Sequence, residues 1–535
     1  CSKSPESSPD CRCRHWIGSM SEVRVVEEAT TSPIYRILGQ RSRWRYPDPR
    51  LTPEHCTLLR DVNISERGSA DTRYGFTTYN PTQLSGGELS VGMYEATFSN
   101  GDVKRLIVTP TTVYTDTGSS RVNITGSALN GSSDNRVRFL FLKDKVLFNN
   151  GVDTIRFWAG DDTSPVNTAA LTTVPWTKAT DFLIHQNLLL VAGTTEGGVY
   201  YPTRIRWCDI NRRTYVVDIN SWPDANRYEI YDGGSPIVGC VDNWGKALVF
   251  KADGLYPGAI TYNQLGQYDF NLGLPIRGFS PISKMSLVAR PEFVFGAAKE
   301  GLFLIRPDLS FEIVNLDDDV SWRELNQSRW QYSQAGVREK DHQIRLLVSS
   351  SSNTSGHDYV IVYDWETGDI WIDRPKKVLN YFGNVTVSSE PLDWIASTSG
   401  YIYQGNKSTY TTDAGVGIDW RITMAPNELG LPWKSKHVLN LVTFYRKRSG
   451  SQSITTKIHV DAGRQGSING TLSIGTSLTW NTGVKWNSGK KWSGSISRRA
   501  TTEVNRICET ISPEWLGTDS ASIDGYQVEY VPLEG

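Results

Sequence analysis

The 535-residue sequence has only 4 Met and no apolar run near the ~20 residues that span a bilayer as a helix. No membrane anchor is expected. Neither sign of charge dominates: 56 Lys+Arg face 57 Asp+Glu, for a net charge of −1. A dedicated nucleic-acid binder normally carries a basic face or a high pI, so that class is disfavoured. Transient contact with DNA stays compatible, because a surface that clasps few phosphates does not hold a duplex in a salt-dependent grip. The cysteines Cys1, Cys11, Cys13, Cys56, Cys208, Cys240 and Cys508 include no second pair at zinc-site spacing beside Cys11-Arg12-Cys13. Free thiols in a reducing compartment are expected rather than a disulfide framework. The stretch from Cys1 to Met20 has no apolar core, so it does not read as a secretory leader. Met20-Ser21-Glu22 reads as a start site, which leaves residues 1–19 as a polar arm or an upstream reading artefact.

Catalytic signatures are also missing. His15, His55, His185, His342, His357, His437 and His459 are scattered, without HExxH or paired-ligand spacing. There is no GxSxG elbow, Walker loop or dinucleotide fingerprint. No catalytic, cofactor-binding or metal-binding residues are assigned, no cofactor is expected, and the chain reads as a non-enzyme.

What the chain does have is aromatic strands and frequent turns: 18 Trp, 24 Tyr, 47 Gly and 24 Pro. That combination predicts many short hairpins. After Asn80 the unit "apolar strand, Asn/Asp/Gly turn, aromatic strand" recurs, with turns at Asn149-Asn150-Gly151, Asp253-Gly254, Glu300-Gly301, Thr367-Gly368 and Ser399-Gly400. The interval is roughly 40 to 55 residues, the span of a four-stranded propeller blade. The expectation is an all-β fold: an irregular β-propeller of six or seven blades over 81–424, with a large multi-sheet sandwich as the alternative. Before it, 1–80 reads as an extended N-terminal arm in which Thr52 to Leu59 is a short helix candidate capped by Thr52. After the linker near Ala425 to Pro432, residues 425–535 read as a β-sandwich-like platform domain, with period-two strands at Thr455 to Asp461 and Ile523 to Val531.

Some segments invite a sharper reading. Trp480, Trp486 and Trp492 recur at an even spacing that places them on one face of an extended segment, beside Lys485, Lys490 and Lys491. This constellation is the candidate interface. A carbohydrate-stacking platform, a protein–protein anchor and an intradomain core ladder all fit it. Asp317-Asp318-Asp319 could offer oxygens to a divalent cation, but no EF-hand-like ligand series follows, and a solvated acidic turn is the simpler account. Tyr363 to Trp371 resembles the Asp-box turn of sialidases, a hairpin device with no hydrolytic implication. His185 lies in an apolar strand, where a packed histidine is commoner than a base.

The run Cys56 to Gly68, containing Arg60-Asp61-Val62, is followed by Arg73-Tyr74-Gly75-Phe76 and on to Asn80. Together they resemble the opening of the β-propeller tail proteins of short-tailed bacteriophages, the tail nozzle. Tyr74 stands where that family's phrase has proline. Further matches are Asn150-Gly151-Val152-Asp153, Arg204 to Asp209 and the closing Ile523 to Pro532. The resemblance implies a structural virion protein: a homo-oligomeric ring of six copies forming the distal tail tube, bound to a tail adaptor and to tail fibres. It would hold back the packaged genome and allow transient passage of viral double-stranded DNA. The alternative is a glycan-binding or glycan-cleaving receptor-recognition propeller.

Overall fold

The computed structural model describes residues 29–40, 53–65, 68–162, 168–211, 216–232, 234–262, 268–314, 322–447, 452–461, 467–474, 498–518 and 520–533. Alternation within single strands builds its core. In Lys145–Asn149, Val146 and Phe148 pack with Leu106 and Val108, while Leu147 between them packs with Phe182 and Leu190. Successive side chains of a strand point to opposite faces, so a strand covered on both sides reads as an unbroken apolar run and joins two neighbouring sheets. Each such Leu or Phe contributes about 1.5–3 kcal/mol on burial.

Seven four-stranded antiparallel sheets follow one another among the described residues. Blade 1 comprises Gly92–Thr97, Val103–Val108, Val113–Asp116 and Arg121–Asn123. Blade 2 comprises Arg138–Leu142, Lys145–Asn149, Arg156–Trp158 and Thr168–Ala170. Blade 3 is Lys178–His185, Leu188–Glu196, Val199–Trp207 and Arg227–Glu229; blade 4 is Ile237–Asn243, Lys246–Lys251, Gly254–Tyr262 and Tyr268–Leu272. Blade 5 is Val288–Ala289, Val294–Ala298, Gly301–Ile305 and Phe311–Val314; blade 6 is Gln334–Arg338, Gln343–Val348, Tyr359–Asp364 and Ile370–Asp373. Blade 7 takes Leu379–Val387, Glu390–Ser397 and Ile402–Gly405 from late in the chain and its outer strand, Phe76–Asn80, from early in it.

The first strand of every blade touches the first strand of the next, and that of blade 7 touches blade 1. The wheel is therefore closed, and the fold is a seven-bladed β-propeller. Tyr381 and Trp394 of blade 7 pack with Met93 and Ile107 of blade 1 to seal the last joint. One end of the axis is occupied by the short 3-10 helix Lys284–Ser286, capped by the Ser283 side chain. Lys284 Nζ donates to Thr180 O of blade 3 at 2.8 Å, and Met285 packs on the joint between blades 7 and 1. Only a segment lying across the axis reaches both.

The second body is a two-sheet sandwich. One sheet runs Val62–Ile64, Ala70–Thr72, Ala521–Pro532, Lys436–Lys447, Arg498–Cys508; the other runs His55–Arg60, Trp420–Met424, Ile511–Gly517, Gln452–Val460, Ser467–Ile474. Val438, Leu441, Tyr526 and Val528 of the first meet Leu59, Ile422, Ile458 and Trp515 of the second. The same core continues into Leu347, Val360, Phe382 and Ile395 of blades 6 and 7.

The expected division of the chain is redrawn by these pairings. Residues 55–72 are not an extended arm but supply three sandwich strands, and Phe76–Asn80 belongs to the propeller. The helix expected from Thr52 to Leu59 gives way to the strand His55–Arg60, because its buried Cys56 and Leu59 pack in the sandwich and its backbone pairs with Trp420–Met424. That partner strand lies inside the expected propeller span 81–424 yet belongs to the sandwich. The propeller is thus inserted into the sandwich, and the chain crosses between the two bodies twice, near Arg73 and between Gly405 and Trp420.

Candidate functional site

Both crossings meet at a buried ionic hub. Arg73, on the first crossing, donates from Nε to Asp61 Oδ1 at 2.6 Å and forks onto both oxygens of Asp413, on the second crossing, at 2.8 and 2.6 Å. Asp373, which ends the outer strand of blade 6, lies 3.9 Å from Arg73 Nε and accepts from Arg345 at 2.9 Å. Arg338 pairs in the same way with Asp393, joining blade 6 to blade 7. Backbone amides add to the carboxylates: Arg374 N donates to Asp61 at 3.0 Å and Lys376 N to Asp413 at 2.9 Å. All of these guanidinium and carboxylate groups are buried.

Local sequence explains why the crossings come this close. Gly75 lies against the backbone of the second crossing, where a Cβ would sit 2.0 Å from Thr412 O. Asp61 adopts a left-handed φ of 54°, which turns the chain out of His55–Arg60 into Val62–Ile64. The charges respond to burial. Desolvation pushes the Asp61 carboxyl up to about 6, against the pull of Arg73 and with help from Asp373. Burial also lowers the Arg345 guanidinium, reinforced by Arg338. Arg73 is likewise opposed by burial, but Asp413 and Asp61 outweigh it and hold the group firmly charged. Removing one partner of such a pair strands a buried charge, at a cost of about 3–5 kcal/mol.

A second polar cluster lies at the plugged end of the axis. Inner strands have one backbone edge without a ladder partner, and side chains from adjacent blades satisfy it. Asp181 Oδ2 accepts from Cys240 N at 2.8 Å, Arg138 donates to Cys240 O at 2.9 Å, and Gln334 donates to Phe382 O at 2.6 Å. Burial, with Asp181 adding to it, raises the Cys240 thiol well above its ordinary value, which removes nucleophilic character. Cys56, Cys208, Cys240 and Cys508 are all free and buried.

His185, like His342 and His459, stands beside a carboxylate. Its ring is buried, with Nδ1 2.6 Å from Asp242 Oδ1 and Nε2 accepting from Ile260 N at 3.3 Å. The accepting Nε2 places the proton on Nδ1, toward Asp242, and leaves no nitrogen for a substrate. His357 is fully buried between Ser349 Oγ and Tyr332 O, and burial lowers it to about 3. The stretch Tyr363 to Trp371 forms a hairpin in blade 6 in which Asp364 Oδ1 accepts from Glu366 N and Thr367 N, at 2.9 and 3.2 Å. Among the described residues no group of three His, Cys, Asp or Glu is placed to hold a metal ion.

The candidate interface Trp480, Lys485, Trp486, Lys490, Lys491 and Trp492 lies outside the described residues, as does Asp317-Asp318-Asp319. Among the described residues the strands flanking the tryptophan-rich segment, Ser467–Ile474 and Arg498–Cys508, are the last strands of their sheets. Sequence reasoning missed the hub. The available signal was a lone charge inside each apolar run: Arg345 in Gln343–Val348, Asp373 closing Ile370–Asp373, and Asp393 beside Trp394.

No protein-family model matches the sequence, and no curated protein does. Solved structures match it at low identity. The Pan2 WD40 domain of Neurospora crassa is 11% identical over 64% of this chain and 97% of its own, with a TM-score of 0.38. The extracellular domain of the putative hybrid two component system BT4673 from B. thetaiotaomicron is 10% identical over 68% of this chain and 42% of its own, at 0.41. BBS1N, solved in complex with ARL6DN, is 12% identical over 62% and 94%, at 0.36. The propeller assignment rests on strand order and ring closure.

Proposed function

We propose that this protein is a structural virion component, six copies of which form the ring of the distal tail tube, or nozzle, of a short-tailed bacteriophage. The observation that carries the reading is a coincidence of phrase and geometry. Two of the stretches that resemble the nozzle family, Cys56 to Gly68 and Arg73 to Asn80, contain Asp61, Arg73 and Gly75, which lock sandwich to propeller. A stiff two-body subunit suits a ring that holds a packaged genome, since a heterologous contact that closes by rotation encloses a central hole. With the 3-10 helix lying across the subunit's own axis, a DNA path through that shared hole fits the reading better than one through the propeller. A net charge of −1 suits a wall that duplex DNA slides past. The partners are other copies, a tail adaptor, tail fibres and, in passing, viral DNA; the location is the virion tail.

Cryo-EM of the native assembly tests this. Six-fold rings with a channel about as wide as a duplex are expected, whereas a monomer that never binds a tail adaptor would count against it. A glycan-binding receptor propeller is the second reading. It is favoured by Tyr262 and Tyr268, whose rings lie 5.2 Å apart on blade 4 with Tyr262 exposed. Binding to host polysaccharide that is lost in Tyr262→Ala would move the assignment there.

A further inference from the structure

We propose that the Arg73 hub is a conformational latch, through which the sandwich holds the propeller ring shut. The outer strand that closes blade 7, Phe76–Asn80, begins three residues after Arg73. The second crossing reaches the same strand: Asp413, gripped by Arg73, pairs with Phe76, and Ala414 N donates to Phe76 O at 2.7 Å. One guanidinium therefore ties together the two covalent connections between the bodies and the strand that completes the wheel.

The sandwich also borrows from blade 6. Asp61 N donates to Ile372 O, Arg60 pairs with Ile372, and the sandwich core runs into blades 6 and 7. Among the described residues blades 2 to 5 have no comparable tie, since their outer strands end without a pairing to the sandwich. Moving the sandwich away from blades 6 and 7 must break the contacts of Asp61 with Arg73 and with Ile372 O, which loosens the Arg73 hub, and the strand released next is the one that closes the ring. Opening of the sandwich and of the blade 7 seam is thus one event. A load or a binding partner acting on the sandwich would be felt at the seam. This inference rests on the hub geometry alone and is independent of the proposed tail role.

The test is hydrogen exchange by peptide and calorimetry on the full chain, comparing Arg73→Met with Arg338→Met. Arg338 is an equally buried arginine whose partners, Asp393, Gln343 and Asp341, all lie within the propeller. The unsubstituted chain is expected to melt in one transition, with Phe76–Asn80 and Ala521–Pro532 exchanging at a common rate. Arg73→Met should split the transition and speed exchange in Phe76–Asn80 at least about tenfold relative to blade 3. Arg338→Met should lower a single, unsplit transition. Where Arg73→Met fails to fold, Asp413→Asn keeps the volume and the Asp61 pair and is expected to show the same split more weakly. Two transitions in the unsubstituted chain, or an unsplit transition with unchanged relative exchange in the readable latch variant, would overturn the latch.

Discussion

Asp393 and Trp394 are neighbours on one strand of blade 7, yet they face different worlds. Asp393 turns toward blade 6 and an arginine, whereas Trp394 turns toward blade 1 and packs with Met93 and Ile107. Most blade joints depend mainly on apolar surface that many side chains of the right size could supply. The joint between blades 6 and 7, where the sandwich docks, adds the buried Arg338–Asp393 pair, as the joint between blades 2 and 3 adds Arg138–Asp181. Apolar joints make a closed wheel; the second body is attached beside blades 6 and 7, through the Arg73 hub and a shared apolar core.

Substitutions can break that contrast at measurable points. The largest effect is expected for Trp394→Ala, about 3–5 kcal/mol in urea unfolding, from the cavity left behind. Asp393→Ala should lose a similar about 3–5 kcal/mol by stranding Arg338. The two differ in rescue: Arg338→Met combined with Asp393→Leu should restore most of the loss, because apolar groups can replace a buried pair. Failure of that rescue would show that the ionic joint has no apolar equivalent.

Next in size is a pH effect. His357 is lowered to about 3 in the fold, while the unfolded ring takes up a proton near its ordinary 6.5. Between those values the unfolded state binds more protons, so stability present above about 6.5 is lost on acidification at about 1.4 kcal/mol per pH unit. His357→Gln should abolish that slope. Asp61 works in the other direction: raised to about 6, its contribution is present below its ordinary 3.8 and lost as pH rises through about 6. Asp61→Asn should therefore steepen the net acid loss between about 3.8 and about 6. The smallest effect is expected for Trp433→Ser. That side chain is 87% exposed, so unfolding should shift by no more than about 0.5 kcal/mol.

Much of the wheel was legible in the sequence. Runs such as Lys145 to Gly151 and Tyr359 to Trp365 mark strands because a sheet covered on both faces demands continuous apolar residues, and their glycine turns are real, with Gly151 and Gly368 both at φ 77°. The early strands were not legible. Cys56 to Arg60 is short and follows a proline-rich stretch, and its antiparallel partner, Trp420–Met424, lies more than 300 residues away. The hub was hidden for the same reason: Arg73 and Asp413 are 340 positions apart, and neither is unusual alone.

The sequence by itself determined the β class, the blade period and the apolar faces, since these follow from local alternation and turn chemistry within a dozen residues. Tertiary structure alone decided that the wheel has seven blades, that Phe76–Asn80 closes it, and that the sandwich is assembled from both ends of the chain around it. Those outcomes depend on which distant edges meet and on which buried charges find partners. No short window of residues contains that information.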